Sequence, residues 1–156
     1  MHQDTVIAGV VYNPITNDLY YAEKGKGCYL MTPTGNSRLR VSARSNIETA
    51  LIGSNYFKGE ANRSNVVKFA ESAASIRYNG STTLSLAAVA AGQYDGYIAT
   101  QFKLWDVAAG YLLVKEAGGF MSDYVGNREL SDIMKEQTII ASNAALKDVF
   151  LAYAKK

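Results

Sequence analysis

The chain has 156 residues, of which 48% are hydrophobic and 19% charged, a composition typical of a globular protein rather than a disordered one. Its formal net charge of +2 comes from 16 basic and 14 acidic residues without a basic stripe, which argues against nucleic acid as a partner. The apolar stretches are too short to cross a bilayer, which argues against an integral membrane protein.

The first 45 residues have the pattern of an antiparallel meander. Residues 6–12 are rich in β-branched side chains, and a turn rich in Asn, Pro and Asp separates them from a returning strand at 19–22. Further strands are predicted at 28–31 and 38–42, with a glycine turn at 25–27 before the first of them.

After residue 45 the pattern changes to alternating strands and helices, which indicates a mixed sheet with helices on its faces. The predicted strands are 50–56, 75–78, 96–99, 120–124 and 138–142, and the predicted helices are 65–74, 81–91, 105–117 and 143–153. The third helix is predicted to end at Gly118-Gly119, and Asn143 is predicted to cap the last. We therefore expect an α/β (layered α+β) fold in a single region, 1–156. Within it, 1–45 is the first antiparallel sheet and 46–156 the C-terminal α/β layer.

The chain has one cysteine and one histidine, which limits the kinds of disulfide, metal site and catalytic site that it can form. The only cysteine, Cys28, cannot form an intrachain disulfide, which favours a reducing, cytoplasmic location. The only histidine is His2, so catalytic triads that use histidine and His/Cys zinc sites lack the residues they need.

The segment Asn79-Gly80-Ser81-Thr82-Thr83 follows a predicted strand and opens a predicted helix. Free amides at the start of a helix, Ser/Thr hydroxyls and the helix dipole together favour a bound phosphate. The alternative is purely structural, because Ser81 or Thr82 at this position would also cap the helix without any ligand.

Asp106 stands at the start of the next predicted helix, where a carboxylate can hold a hard cation beside a bound phosphate. Capping of the helix by the same carboxylate is the structural alternative. The following residues Ala108, Ala109 and Gly110 make the helix narrow, so another segment can pack very close to it.

The remaining conspicuous residues have ordinary structural interpretations. Trp105 fits the core, Glu116 a solvated helix face, and Asp95 and Asp123 turns at strand ends. The 11 tyrosines are more typical of half-buried strands than of a platform that stacks nucleic acid bases.

Taken together, these motifs resemble the inositol monophosphatase family, within the wider magnesium-dependent, lithium-sensitive sugar phosphatases. The resemblance extends from about Val6 to the C-terminus. It is carried by Trp105-Asp106-x-Ala108-Ala109-Gly110 with Glu116-Ala117-Gly118-Gly119, Arg77-x-x-Gly80-Ser81, Asp95-Gly96-Tyr97, Gly9-Val10-Val11-Tyr12-Asn13-Pro14 and Ala22-x-x-Gly25-x-Gly27.

The resemblance implies the C-terminal part of an αβαβα fold and Mg²⁺-assisted hydrolysis of inositol or sugar phosphates. It implies that Asp106 is a metal ligand that also faces the substrate. Gly80, Ser81 and Thr82 would line the substrate pocket. Because full-length relatives commonly form homodimers, it also implies a homo-oligomer.

The chain departs from the family pattern in its metal ligands. The Glu-Glu pair and the Asp-Pro-(Ile/Leu)-Asp-Gly-Thr motif of the family do not occur, Ala99 stands where many members have a sugar-binding glutamate, and Thr82-Thr83 replaces a pair of small residues. We therefore expect an incomplete C-terminal portion that is inactive alone. Two further hypotheses are completion by a separately encoded N-terminal half and a role as a non-catalytic interaction or oligomerisation module.

Overall fold

The N-terminal part of the chain forms a four-stranded antiparallel sheet, as predicted. The structure, a computed structural model, describes residues 5–55 and 60–154, apart from the side chains of residues 60–62. The strands lie in the order β1-β2-β3-β4. They are β1 (Ala8–Asn13), β2 (Asp18–Glu23), β3 (Gly27–Thr32) and β4 (Gly35–Arg38).

A second sheet has five strands in the order β6-β5-β7-β9-β8, with β5 parallel to β6 and β7 and the other pairs antiparallel. Its strands are β5 (Leu51–Ser54), β6 (Ser75–Arg77), β7 (Gly96–Thr100), β8 (Phe120–Ser122) and β9 (Thr138–Ser142). The helices are α1 (Glu60–Ser72), α2 (Thr82–Ala90), α3 (Leu104–Glu116), α4 (Leu130–Glu136) and α5 (Lys147–Ala154), and a short 3₁₀ turn spans Ile47–Thr49.

Helices α2 and α3 lie between the two sheets, and α1 and α5 cover the far side of the second sheet. Alternate residues of β7 show why: Tyr97 and Ala99 belong to the core between the sheets, whereas Ile98 belongs to the core under α1 and α5. Because successive strand residues point to opposite faces, one apolar strand serves both cores. The result is a β-α-β-α layering that agrees with the predicted fold class.

The structure differs from the sequence-based elements in several places. The last strand of the meander is Gly35–Arg38 rather than 38–42, because the backbone N–H of Val41 already leaves the sheet and donates to the Ala117 carbonyl at the end of α3. Helix α1 begins earlier than 65, and α4 was not predicted at all.

Another difference concerns Asn143, which was expected to cap the last helix. Helix α5 begins only at Lys147. The Asn143 side chain instead accepts from the backbone N–H of Leu146 and donates to Ser42 Oγ and to the Arg44 carbonyl, which ties the last turn to the segment between the sheets. The predicted strand at 50–56 ends at Ser54, and Tyr56 lies outside the described residues.

The small residues of α3 let two neighbouring segments approach it closely, as predicted. A Cβ on Gly110 would lie 2.6 Å from Leu86 Cβ on α2. Strand β1 also packs against α3, and a Cβ on its residue Gly9 would lie 3.0 Å from the Ala109 carbonyl oxygen. Helix α3 thus packs tightly against both a helix and a sheet.

The C-terminal end of α3 is fixed to the meander by Glu116. One oxygen of its carboxylate accepts from the backbone N–H of Gly25 at 2.8 Å, and the other accepts from that of Gly27 at 2.9 Å. Both glycines have positive φ, 77° and 94°, so the turn they form suits residues without a Cβ. The expectation of a merely solvated Glu116 was wrong.

The helix then ends as predicted. Gly118 adopts a φ of 84°, and the backbone N–H groups of Gly118 and Gly119 donate to the carbonyls of Lys115 and Val114. This pair of bonds is the Schellman motif.

The outer face of the four-stranded sheet carries exposed apolar side chains: Val10 is 59%, Tyr12 52% and Met31 47% exposed. On the same face the rings of Tyr21 and Tyr29 stack with centroids 5.5 Å apart. The longest described helices have only 13 residues, and within the described ranges none combines the length and apolarity of a membrane span.

Candidate active site

A cavity of about 420 Å³ opens where β5 and β7 end and where α2 and α3 begin. Because β5 and β7 are parallel neighbours, their carboxyl ends meet at one edge of the sheet, the usual place for ligands in such folds. The volume lies within the range of small-molecule sites. Among the described residues its lining is Ser54, Asn55, Tyr78, Gly80, Ser81, Thr82, Tyr97, Gln101, Phe102 and Asp106.

The start of α2 forms one wall of the cavity. Ser81 caps the helix, since its Oγ accepts from the backbone N–H of Leu84 at 3.2 Å. Asn79 Oδ1 fixes the preceding turn by accepting from the Ser81 N–H and from Ser85 Oγ. Gly80 has a φ of 76° and no atom within 4 Å of the place where a Cβ would stand, so the turn leaves open space beside the helix start.

The start of α3 forms the adjacent wall and carries Asp106. One oxygen of the half-buried carboxylate accepts from the backbone N–H of Lys103 at 2.8 Å, which closes the first turn of the helix. The Thr83 hydroxyl donates to the Asp106 carbonyl at 3.0 Å and so joins the first turns of α2 and α3. This bond connects two segments that are distant in sequence at the edge of the same cavity.

Tyr97 supplies the floor between the two walls. Its hydroxyl shares a 2.9 Å hydrogen bond with Thr82 Oγ1. Burial, the largest effect, raises the pKa of Tyr97 to about 12, because the phenolate would be formed away from water. Tyr97 is therefore a neutral hydrogen-bonding group at physiological pH, and Asp106 is the only acidic residue in the described lining.

The described cavity lining offers one carboxylate, Asp106, to a magnesium ion. Within residues 5–55 and 63–154, no group of three or more His, Cys, Asp or Glu side chains could hold a metal ion. Mg²⁺ is usually held by one or two carboxylates together with substrate phosphate and water. Asp106 fits one such ligand position, since it lines the cavity and only one of its two carboxylate oxygens accepts the Lys103 N–H.

The other acidic residues singled out in the sequence have structural roles. The Asp95 carboxylate accepts from the Leu51 N–H and from Arg44 Nε. Asp123 is fully buried, and its carboxylate accepts four hydrogen bonds from the turn formed by residues 125–127. Asp123 therefore acts in a turn, as expected, whereas Asp95 joins the start of β7 to β5 and to Arg44.

Trp105, next to Asp106, was expected in the core but is 78% exposed. It lies in the first turn of α3, before the buried residues of that helix, which begin at Val107. Ala99, at the position of the sugar-binding glutamate in the resemblance, is fully buried in β7.

Sequence reasoning missed part of the cavity wall. Ser54 is the last residue of β5 and Asn55 follows it, and Gln101 and Phe102 follow β7. The signal that could have found them is the end of a buried strand, but it becomes useful only once β5 and β7 are known to be neighbours.

Comparison with known proteins decides the family. A sequence model described as the inositol monophosphatase family matches residues 1–156. The chain belongs to the inositol monophosphatase family. It is 37% identical over 146 residues to an inositol-1-monophosphatase of Caulobacter vibrioides, covering 90% of this chain and 55% of the relative. It is 36% identical over 148 residues to the Nus factor SuhB of Escherichia coli, covering 92% of this chain and 53% of that protein.

Solved structures of the family have the same fold. The extragenic suppressor protein SuhB of Bartonella henselae superposes with a TM-score of 0.87 at 35% identity, over 96% of this chain and 57% of that one. The inositol monophosphatase of Anabaena superposes with a TM-score of 0.83 at 26% identity, over 94% of this chain and 60% of the other. The chain thus spans a little over half the length of these relatives.

Proposed function

We propose that this chain forms the ester-binding part of a Mg²⁺-dependent phosphatase that acts on inositol or sugar phosphates. One observation carries the proposal: Gly80, Ser81, Thr82 and Asp106, from two separate segments, line a single cavity. The name of the Caulobacter vibrioides relative, inositol-1-monophosphatase, supports the same substrate class.

In this proposal the start of α2 receives the phosphate. The first amides of a helix have no intrahelical partners, and the helix dipole favours an anion there. Gly80 leaves the space for that anion. The Thr82 hydroxyl, positioned by Tyr97, contributes a neutral hydrogen bond beside it.

Asp106 would hold one ligand position of a magnesium ion, whose chemistry in such sites is to polarise the phosphate ester and activate water. A single carboxylate does not hold two dications against their hydration and their mutual repulsion. We therefore expect the purified chain to bind Mg²⁺ weakly and to release no phosphate by itself.

Calorimetric titration with MgCl₂ tests this expectation. We expect binding in the millimolar range or weaker, which Asp106→Asn removes while the amide oxygen still accepts from the Lys103 N–H and the thermal midpoint is preserved. Asp148→Asn, at an exposed acidic residue of α5, is the matched control and should leave binding unchanged. Tight stoichiometric binding, or magnesium-dependent turnover by the purified chain that depends on Asp106, would overturn the expectation.

The second part of the proposal is that a separate polypeptide supplies the remaining carboxylates. The apolar outer face of the four-stranded sheet supports this, because exposed apolar patches commonly mark interaction sites. Mixing the chain with a polypeptide that carries the family's Glu-Glu and Asp-Pro-x-Asp-Gly-Thr motifs should produce phosphate release from myo-inositol 1-phosphate under saturating Mg²⁺.

Two variants separate docking from chemistry in that experiment. Val10→Lys, on the outer face, should raise the concentration of the second polypeptide that is needed for half-maximal activity. Asp106→Asn should abolish the activity at any concentration of that polypeptide. No release from the mixture under saturating Mg²⁺ would show that the two polypeptides do not form an enzyme.

The alternative function is a non-catalytic interaction or homo-oligomerisation module, and the same exposed face favours it. In that case Val10→Lys would dissociate oligomers seen by sedimentation velocity, and Asp106→Asn would leave them unchanged. The lone Cys28, buried and without a disulfide, supports a cytoplasmic location for either function.

A further inference from the structure

Three residues other than glycine adopt left-handed backbone conformations among the described residues: Asn17 with φ 59°, Gln101 with φ 56° and Gln137 with φ 53°. Residues with a Cβ seldom adopt this region, because the Cβ approaches the following carbonyl. Each of the three therefore needs a reason.

Two of them have structural reasons. Asn17 lies in the turn between β1 and β2, and its Oδ1 accepts from the Tyr12 hydroxyl at 2.7 Å. Gln137 is the left-handed cap of α4, where its backbone N–H donates to the Ile133 carbonyl and its Nε2 donates to the Met134 carbonyl at 2.7 Å. In both cases the side chain bonds within its own turn.

Gln101 is different, because its side chain is exposed and the bonds that hold this segment come from other residues. Asn55 holds the preceding residue from both sides: its Nδ2 donates to the Thr100 carbonyl at 2.7 Å, and its Oδ1 accepts from the Thr100 N–H at 3.1 Å. The Gln101 N–H donates to the Gln137 carbonyl at 3.0 Å, and the next residue, Phe102, is only 2% exposed.

The side-chain carboxamide of Gln101 thus belongs to the cavity lining without a structural task. Among the described residues this carboxamide has no hydrogen-bond partner, and glycine would adopt the same backbone at lower cost. Strain that the surroundings enforce and that local bonds do not use is typical of functional positions.

We propose that Gln101 is a specificity-determining residue that hydrogen-bonds a hydroxyl group of the alcohol part of the phosphate ester. A carboxamide both donates and accepts, as a hydroxyl does, and it carries no charge that would compete for the phosphate or the metal. The lining around it supplies neutral polar and aromatic groups, which suit a polyol. This inference rests on the proposed function.

The experiment compares two probes, myo-inositol 1-phosphate and inorganic phosphate, each titrated in saturating MgCl₂ and followed by amide shifts in NMR spectra. Gln101→Ala removes the carboxamide and keeps the backbone strain. Gln101→Gly removes the carboxamide and also relieves the strain, because glycine adopts a positive φ freely. Asn17→Ala, at a left-handed residue in the turn between β1 and β2 that lies outside the described lining, is the matched control.

We expect both Gln101 variants to weaken binding of the inositol phosphate about fivefold, the effect of one lost hydrogen bond, and to leave inorganic phosphate unchanged. Gln101→Gly should also melt roughly 2–4 °C above Gln101→Ala, because it relieves the strain. Asn17→Ala should change neither affinity.

The outcomes separate this inference from the proposed function. If the wild-type chain binds neither probe, the proposed function fails and the role of Gln101 fails with it. If the wild-type chain binds both probes, two outcomes overturn the inference alone. The first is an unchanged affinity of the Gln101 variants for the inositol phosphate, and the second is an equal loss of affinity for the inositol phosphate and for inorganic phosphate. Equal melting temperatures of the two variants would remove its premise of backbone strain.

Discussion

Gly110 lies where α3 packs directly against Leu86 of α2, and it shows how one residue without a side chain sets the distance between two helices. The position of a Cβ there is 2.6 Å from both Cβ and Cδ1 of Leu86, closer than such atoms come in proteins. Since both helices begin at the cavity, the same contact helps to position the candidate site.

We predict that Gly110→Ala destabilises the protein by about 1–3 kcal/mol, the usual cost of forcing extra volume into a packed core. Thermal denaturation should show a loss of roughly 2–4 °C for each kcal/mol. Adding Leu86→Ala to Gly110→Ala should cost less than the sum of the two single changes, because the smaller residue makes room for the new methyl group. Strict additivity of the two changes would show that the contact is not limiting.

Cys28 links burial to the pH dependence of stability. The thiol is completely buried, and desolvation raises its pKa from 9.0 to about 12. Between these values the unfolded chain loses the proton and the folded chain retains it. The contribution of the buried thiol to the free energy of unfolding is therefore complete below pH 9 and is lost as the pH rises toward 12.

We predict that Cys28→Ala flattens this fall between pH 9 and 10, a window below the usual ionisation of tyrosine near 10. Urea midpoints measured at pH 8, 9 and 10 would show it. In the native wild-type protein, iodoacetamide should label Cys28 slowly at pH 8 and rapidly after unfolding in urea. Parallel pH profiles of variant and wild type, or rapid labelling of the native protein, would contradict the assignment.

At the scale of elements, Glu116 joins the end of α3 to the glycine turn between β2 and β3. We predict that Glu116→Gln destabilises the protein by about 1–2 kcal/mol, because an amide side chain has one acceptor oxygen for the two backbone N–H groups. Urea denaturation measures the effect. Glu71→Gln, at an exposed residue of α1, is the control for loss of charge alone and should change the midpoint little.

Sequence patterns predicted most elements, and the failures have local causes. The hairpins and the core of α2 and α3 follow from alternation, glycine turns and a strong C-terminal cap. Helix α4 has only seven residues, two of them buried, which is too short for a helical period to be seen. The prediction of the fourth strand failed because the Val41 N–H donates to the Ala117 carbonyl. This is a tertiary contact that the sequence of residues 38–42 does not indicate.

At the scale of the whole molecule, the candidate site was predictable only where its residues carry their own signal. Gly80, Ser81, Thr82 and Asp106 stand at helix starts with recognisable chemistry and a family motif. Asn55 and Gln101 carry no such signal. Their place in the cavity depends on the parallel pairing of β5 with β7, which is a property of the folded sheet.

Helix α3 limits where the chain can accept an inserted or deleted residue. Its 13 residues form a rod of about 20 Å with Asp106 near one end and Glu116 at the other. Inserting or deleting one residue between them would rotate one end against the other by about 100°. Either the carboxylate would leave the cavity or the glycine turn would lose its acceptor. The number of residues between these two acids is therefore fixed by the two contacts at the ends of the helix.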